Sequence, residues 1–185
     1  IWIATEAGLS VYNDAKKSFI QFDKNKTFQD QAINHLMEDK DGTMWVSTRS
    51  KGLYRINELN DSSQTIIDTI KPLIKTQILQ CVSFDEQIII LGDGSLFTME
   101  NNTLSQIHFP KKAENLIINS LSILENELWL ATNQGAFKAI VVNSHLRLIS
   151  RIDERSGLKS NDISSLYRHN NFFWIGTSYG LSRVI

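Results

Sequence analysis

The chain has a single cysteine in 185 residues, Cys81, so no internal disulfide can form. That fits a reducing compartment, and equally a secreted domain that does without disulfides. Cys81 stands in an apolar strand pattern and reads as an inert buried thiol. An excess of one charge is missing too: 19 Lys and Arg meet 20 Asp and Glu, for a net charge of −1. This balance leaves no electrostatic case for binding DNA, RNA or an anionic membrane. No apolar run approaches the length of a membrane span, and the longest, Ile88–Leu91, is the size of a strand. Proline is scarce, at Pro72 and Pro110 only, and both positions suit connections between strands. No convincing helix stands out. The chain opens on Ile1, already inside a repeating pattern, with no initiator Met and no signal peptide in view. It is therefore expected to be a fragment of a longer chain, which makes the missing signal uninformative.

Chemical motifs are missing as well. There is no Gly-x-Ser-x-Gly, no phosphate loop and no dinucleotide fingerprint. His35, His108, His145 and His169 make no metal spacing with Cys81 or with one another, and read as surface or turn residues. Asp39-x-Asp41-Gly42 begins like a calcium loop, but the Gly and Glu required later in such a loop are absent, so a plain hairpin is expected. Asp85-Glu86 and Asp153-Glu154 fall in turns and read as solvated pairs. No metal, cofactor or catalytic residue is expected.

What the chain does have is a repeat. Phe173-Trp174-Ile175-Gly176-Thr177-Ser178-Tyr179-Gly180-Leu181 recurs as Ile1-Trp2-Ile3-Ala4-Thr5-Glu6-Ala7-Gly8-Leu9. It returns in Met44-Trp45-Val46-Ser47-Thr48 to Gly52-Leu53, and in Leu128-Trp129-Leu130-Ala131-Thr132 to Gly135-Ala136. A degenerate copy, Ile88 to Leu96, puts Ile89 in the tryptophan's place. All four Trp of the chain occupy this one position, and with Ile89 the spacings are 43, 44, 40 and 45 residues. A period of about 40–45 residues suits a four-stranded propeller blade.

Short strands with turn signals between them fill each unit. The units run over about 1–30, 31–75, 76–114, 115–156 and 157–185. The first opens mid-blade, with strands over Ile1–Ala4, Leu9–Tyr12 and Phe19–Phe22, then a polar crossing from Lys24 to Asp30. The second has strands over Ile33–Met37, Met44–Thr48, Leu53–Ile56 and, after a polar loop at 57–63, Thr65–Ile70. The third has Ile78–Ser83, Gln87–Leu91, Ser95–Met99 and, past an Asn101-Asn102 turn, Leu104–Ile107. The fourth has Ile117–Leu124, Glu127–Ala131, Gly135–Val141 and Leu146–Ile152. The fifth has Asp162–Tyr167, a His169-Asn170-Asn171 turn, Phe172–Gly176 and Gly180–Ile185. Hence the fold class is all-β: three complete and two partial four-stranded antiparallel blades. The first unit lacks an inner strand and the last an outer one. The two cannot merge into one blade, so a larger, seven-bladed propeller is expected.

The repeat residues have jobs in such a fold. Trp2, Trp45, Trp129 and Trp174 would fill the layer between neighbouring blades. Thr5, Thr48, Thr132 and Thr177 would end the second strand and hold the turn through their hydroxyls. Gly8, Gly52, Gly135 and Gly180 would supply backbone geometry that other residues resist. None of this requires catalysis.

These residues resemble the two-component regulator propeller repeat, in which Asn-Asp and an aliphatic residue lead, through an Asp-x-x-Gly turn, to Trp-(Ile/Val)-Gly-Thr-x-x-Gly-Leu. Gly157 through Asn161-Asp162-Ile163 to Trp174-Ile175-Gly176-Thr177 and Gly180-Leu181 is the best match. Ile33 through Asp39-Lys40-Asp41-Gly42, Trp45 and Gly52-Leu53 is nearly as good, and the resemblance spans essentially the whole chain. The third unit departs most, having no Trp and no Thr at the marked positions. The resemblance implies the periplasmic part of a bacterial inner-membrane sensor, with an oligosaccharide or similar small ligand. It also implies further blades, a flanking immunoglobulin-like sandwich, a homodimer in the full-length sensor, and a histidine kinase or diguanylate cyclase module elsewhere in the protein.

One loop set leads into the inner strands, and the other joins the second and third strands. The first holds Asp30, Asn34, His35, Gln77, Gln80, Asn119, Asn161 and Asp162. The second holds Glu6, Arg49, Lys51, Asp93, Asn133, Gln134 and Tyr179. Polar loops with an exposed Tyr suit a sugar. The residues selected as ligand-binding are His35, Arg49, Lys51, Asn133, Gln134, Asn161 and Tyr179. The alternatives are a protein-interaction or scaffold propeller and, less favoured, a propeller lyase or lactonase. The last suffers because no acid or His recurs at the inner-strand positions.

Overall fold

A computed structural model of the chain describes residues 1–20, 26–57, 66–69, 77–92, 94–100, 103–113, 115–170 and 172–184. Lys24, the polar loop beyond Asn57, Pro72, Asp93, the Asn101-Asn102 turn and Asn171 lie outside the described residues.

The described strands form five antiparallel sheets. The first holds β1 (Trp2–Thr5), β2 (Gly8–Asn13) and β3 (Ser18–Ile20). The second holds β4 (Ile33–Glu38), β5 (Met44–Thr48), β6 (Leu53–Asn57) and β7 (Ile66–Thr69). The third holds β8 (Ile78–Phe84), β9 (Gln87–Gly92), β10 (Ser95–Glu100) and β11 (Thr103–Ile107). The fourth holds β12 (Ile118–Leu124), β13 (Glu127–Thr132), β14 (Gly135–Val142) and β15 (His145–Ile152). The fifth holds β16 (Ile163–His169), β17 (Phe172–Thr177) and β18 (Gly180–Val184). Strands pair in chain order within every sheet, so each sheet is a meander. The third, which lacks the Trp and Thr, is as complete as the second and fourth.

Two compact units divide the chain, Ile1–Cys81 and Val82–Ile185. The core of the first gathers Phe28, Ile33, Met44, Val46, Tyr54 and Ile56, with Trp2, Leu9 and Leu36 packed against it. Phe28 meets Tyr54 edge to face at 5.1 Å. In the second unit, one cluster joins Ile89, Leu91 and Leu96 of the third sheet to Leu121, Leu128 and Leu130 of the fourth. Another joins Ala131 and Ala136 of the fourth sheet to Ile163, Leu166 and Ile175 of the fifth. Trp129 lies at this second layer, edge to face with Phe173 at 4.9 Å, as a blade-to-blade filler should. Ile89 does the same work in its layer with no exposed surface.

The hairpins follow their turn chemistry. Asp85-Glu86, Glu125-Asn126 and Asn143-Ser144 each form a two-residue loop with both φ values positive, the geometry that matches strand twist. Asp39 organises the longer hairpin. Its carboxylate accepts from the amides of Asp41 and Thr43, both at 3.0 Å, and from the Trp45 indole N–H at 2.7 Å. The expected hairpin therefore stands, with Asp39 committed to the protein's own donors.

Two expectations need correction. Two single-turn 3-10 helices, Lys111–Ala113 and Glu154–Ser156, stand among the described residues where none was foreseen. The second opens with a capping box: the Asp153 side chain accepts from the Ser156 amide, and the Ser156 hydroxyl accepts from the Asp153 amide. Asp153 is thus buried rather than solvated. Its carboxylate pairs with Arg155 at 2.9 Å and Arg151 at 3.1 Å.

Candidate functional site

The turn between the second and third strands is built the same way four times. The Thr5 hydroxyl donates to the Gly8 carbonyl at 2.8 Å and accepts from the Ala7 amide at 3.2 Å. Thr48 does this to Gly52 and Lys51 at 2.7 and 3.0 Å, and Thr132 to Gly135 and Gln134 at 2.6 and 3.0 Å. Thr177 repeats it on Gly180 and Tyr179 at 2.9 and 3.2 Å. One hydroxyl thus satisfies a turn amide and adds a second bond to the glycine carbonyl, which at Gly52 also accepts from the Thr48 amide at 3.0 Å. The glycine is needed twice over at Gly135. Its φ is +116°, and a Cβ there would stand 2.7 Å from the Ile152 carbonyl oxygen.

These turns dock onto the segments that lead into the inner strands. In the second, fourth and fifth sheets, the residue after the Thr donates its amide to the carbonyl of the residue just before the inner strand: Arg49 to Ala32, Asn133 to Ile117 and Ser178 to Asp162, at 3.0–3.1 Å. The turn also meets the lead-in of the following sheet. Asp30 donates to the Ala7 carbonyl at 3.1 Å, and Gly135 to the Asn161 carbonyl at 2.7 Å. Each unit therefore carries a rim of backbone-locked turns, and what those turns present is set by side chains that the locks do not use.

In the first unit, Arg49 reaches the Glu6 carboxylate of the neighbouring turn at 2.8 Å, with both side chains largely in water. Lys51 is exposed on the same turn as Arg49. His35 lies opposite Ser47 in β4. Burial lowers its pKa, and its buried Nδ1 has no partner among the described residues. In the second unit, Asn133 accepts from the Ile117 amide at 2.9 Å and donates to the Asn115 carbonyl. Gln134 donates to that same carbonyl at 3.2 Å. Asn161 accepts from the Glu154 amide at 2.9 Å. Tyr179 is 76% exposed. Of the residues singled out in the sequence, Asn133, Gln134 and Asn161 hold loops in place, Arg49 is paired, His35 is half-buried, and Lys51 and Tyr179 face solvent.

Sequence reasoning missed the job of two asparagines. The inner strands are bulged between Ile33 and His35, between Ile118 and Ser120, and between Ile163 and Ser165. Asn34 and Asn119 are the extra residues, and the bulge turns their amides along the inner layer. Asn34 donates to the Ile78 carbonyl at 2.8 Å and Asn119 to the Ile163 carbonyl at 2.7 Å. The signal was present, since both follow the first Ile of an inner strand. A side chain that recurs within a repeat serves the repeat.

No metal-capable group of three or more His, Cys, Asp or Glu occurs among the described residues. Cys81 is buried, at 3.7 Å from the Ser47 hydroxyl, and burial pushes its thiol up to about 12. No helix of the described residues is long and apolar enough to cross a membrane.

Meanders of three and four antiparallel strands, repeating every 40–45 residues and packed on one another within each unit, define the class: this chain is a segment of a β-propeller. Residues 27–50 match the family model described as two component regulator propeller. Over those residues the chain is similar to the two-component regulator propeller repeat. Among solved structures, the chain resembles the extracellular domain of a hybrid two-component system from B. thetaiotaomicron, at 21% identity and a TM-score of 0.74. That match covers 98% of this chain and 25% of the other. A second such domain from B. thetaiotaomicron is 18% identical with a TM-score of 0.56, over 98% of this chain and 31% of its own. Virginiamycin B lyase from Staphylococcus aureus shares the fold at 13% identity and a TM-score of 0.65, over 99% of this chain and 65% of the enzyme. The chain thus spans a quarter to a third of the extracellular domains it resembles. No curated protein sequence matches it significantly.

Proposed function

We propose that this chain is a non-catalytic, ligand-sensing segment of the extracytoplasmic region of a bacterial hybrid two-component signalling protein. The observation that carries the reading is the two-component regulator repeat at residues 27–50, whose features recur along the chain. The fold shared with extracellular domains of such systems supports it. So does the division of labour in the repeat: Trp, Thr and Gly are consumed by packing and turn closure, as are Asp39, Asn34 and Asn119. Chemistry is left to the turn tips, where Arg49, Lys51 and Tyr179 offer hydrogen-bond donors and an aromatic face. An oligosaccharide suits such groups. Ligand binding would then alter how the segment packs against further blades, a sandwich domain and the second copy of a dimer.

The test is a thermal-shift and calorimetric screen of the chain against a panel of oligosaccharides, repeated with Lys51→Ala and Tyr179→Ala. Both side chains are exposed, so the variants should melt as the parent does without ligand. The expected result is a saturable shift with one class of glycan, weakened roughly tenfold or more by one of the substitutions. No shift across the panel, with specific capture of a protein partner, would favour an interaction propeller. Turnover of a panel member would restore the enzyme reading.

A further inference from the structure

Two of the four histidines, apart in sequence, come together on the surface of the second unit. His108 follows β11, and His145 opens β15. The backbone fixes them side by side: the His108 amide donates to the Ser144 carbonyl at 2.8 Å, and the Leu146 amide to the His108 carbonyl at 2.9 Å. The Asn143-Ser144 turn before His145 has both residues at positive φ, so little freedom is left in the loop that carries one ring. The two imidazole centres are 5.4 Å apart with their planes tilted by 47°, and both residues are exposed.

We propose that His108 and His145 form a two-imidazole site for a first-row transition-metal ion. With metal–nitrogen bonds of about 2.0–2.1 Å and a tetrahedral angle, two imidazoles on one ion hold their ring centres roughly 5 Å apart. The observed spacing meets that requirement without moving the backbone. The tautomer is favourable as well. His145 Nδ1 lies 2.8 Å from the Asn143 carbonyl oxygen. A carbonyl only accepts, so Nδ1 carries the proton of the neutral ring and Nε2 keeps its lone pair for a metal. Imidazole donors suit copper, nickel and zinc, and divalent copper heads the affinity order. No third His, Cys, Asp or Glu completes the set among the described residues. The remaining coordination positions are therefore open to water or to a donor from another molecule.

The experiment is a Cu2+ titration of the full chain by calorimetry and electron paramagnetic resonance, with His108→Gln and His145→Gln as variants and His169→Gln as an exposed control. One tight equivalent is expected, with superhyperfine coupling to two imidazole nitrogens. Each of the first two substitutions should weaken binding at least tenfold, while H169Q leaves it unchanged. A spectrum with one imidazole nitrogen or none would overturn the proposal without any variant having to fold. Affinity within twofold of the parent in both H108Q and H145Q would overturn it too.

Discussion

The side-chain amide of Asn119 donates to the main-chain carbonyl of Ile163 at 2.7 Å, and so ties the inner strand of the fourth sheet to that of the fifth. Asn34 and Ile78 stand in the same relation. Bulge, amide and neighbouring carbonyl recur together, as expected of a joint between blades rather than a contact kept for a ligand.

Asn119→Ala should therefore destabilise the fold by about 1–2 kcal/mol, the cost of stranding a carbonyl that has lost its donor. Urea denaturation measures this. Ligand affinity, once a ligand is in hand, should not change beyond what the loss of folded protein explains. A variant of parental stability that binds ligand tenfold more weakly would return Asn119 to the binding surface.

Thr132→Val keeps the shape of a fully buried side chain and removes the hydroxyl that serves both Gly135 and Gln134. It should cost roughly 1–3 kcal/mol. Thr5 makes the same bonds in an exposed turn, where water can replace them, and Thr5→Val should cost under about 1 kcal/mol. Equal losses would mean that burial does not set the worth of this device.

His35 gives the fold a pH dependence whose sign is fixed. Burial lowers its pKa, so the folded chain holds the ring neutral while the unfolded chain protonates it in the ordinary His range. The unfolded state then binds more protons, and stability falls as the pH drops through that range, until the folded-state pKa is passed. His35→Gln should flatten this part of the profile. A parent whose urea midpoint is constant from neutral to mildly acidic pH would contradict it. At still lower pH, Asp153 adds a second loss. The hydrogen bond from Arg155 holds its carboxyl below the usual range, so that contribution disappears only once the folded-state carboxylate protonates.

Cys81 should stay silent toward thiol reagents at neutral pH. Its thiol is buried and pushed up to about 12, so almost no thiolate exists and none is accessible. A disulfide exchange reagent should label it only as fast as the chain unfolds, and urea should bring the reaction to completion. Fast labelling without denaturant would show that the strand it sits in opens locally.

Most of the architecture was legible because one stretch carries its own registration marks. Trp45, Thr48 and Gly52 place a strand, its end and its turn, and the same marks near Trp129 and Trp174 repeat the message. In the third sheet, Ile89 supplies the buried volume without the indole, and the continuous apolar run Ile88–Leu91 was enough to place the strand. The short 3-10 turns were not legible as helices, since three residues show no periodicity. Asp153 with Ser156 before Gly157 was a capping signal passed over as a polar loop. The candidate site was legible only as a set of polar positions. Which amides are spent on holding loops depends on where Asn115, Ile117 and Glu154 bring their backbone groups, and residues 16 to 18 apart in sequence give no hint of that for Asn133. The approach of His108 to His145 was hidden for the same reason.

The proposed role is that of a propeller segment within an extracytoplasmic sensor. The most direct measurement is to read the coding sequence on both sides of Ile1 and Ile185. The expected result is further propeller repeats, a sandwich domain, a membrane span and a histidine kinase or diguanylate cyclase module in the same reading frame. A reading frame with no membrane span and no signalling module would contradict it.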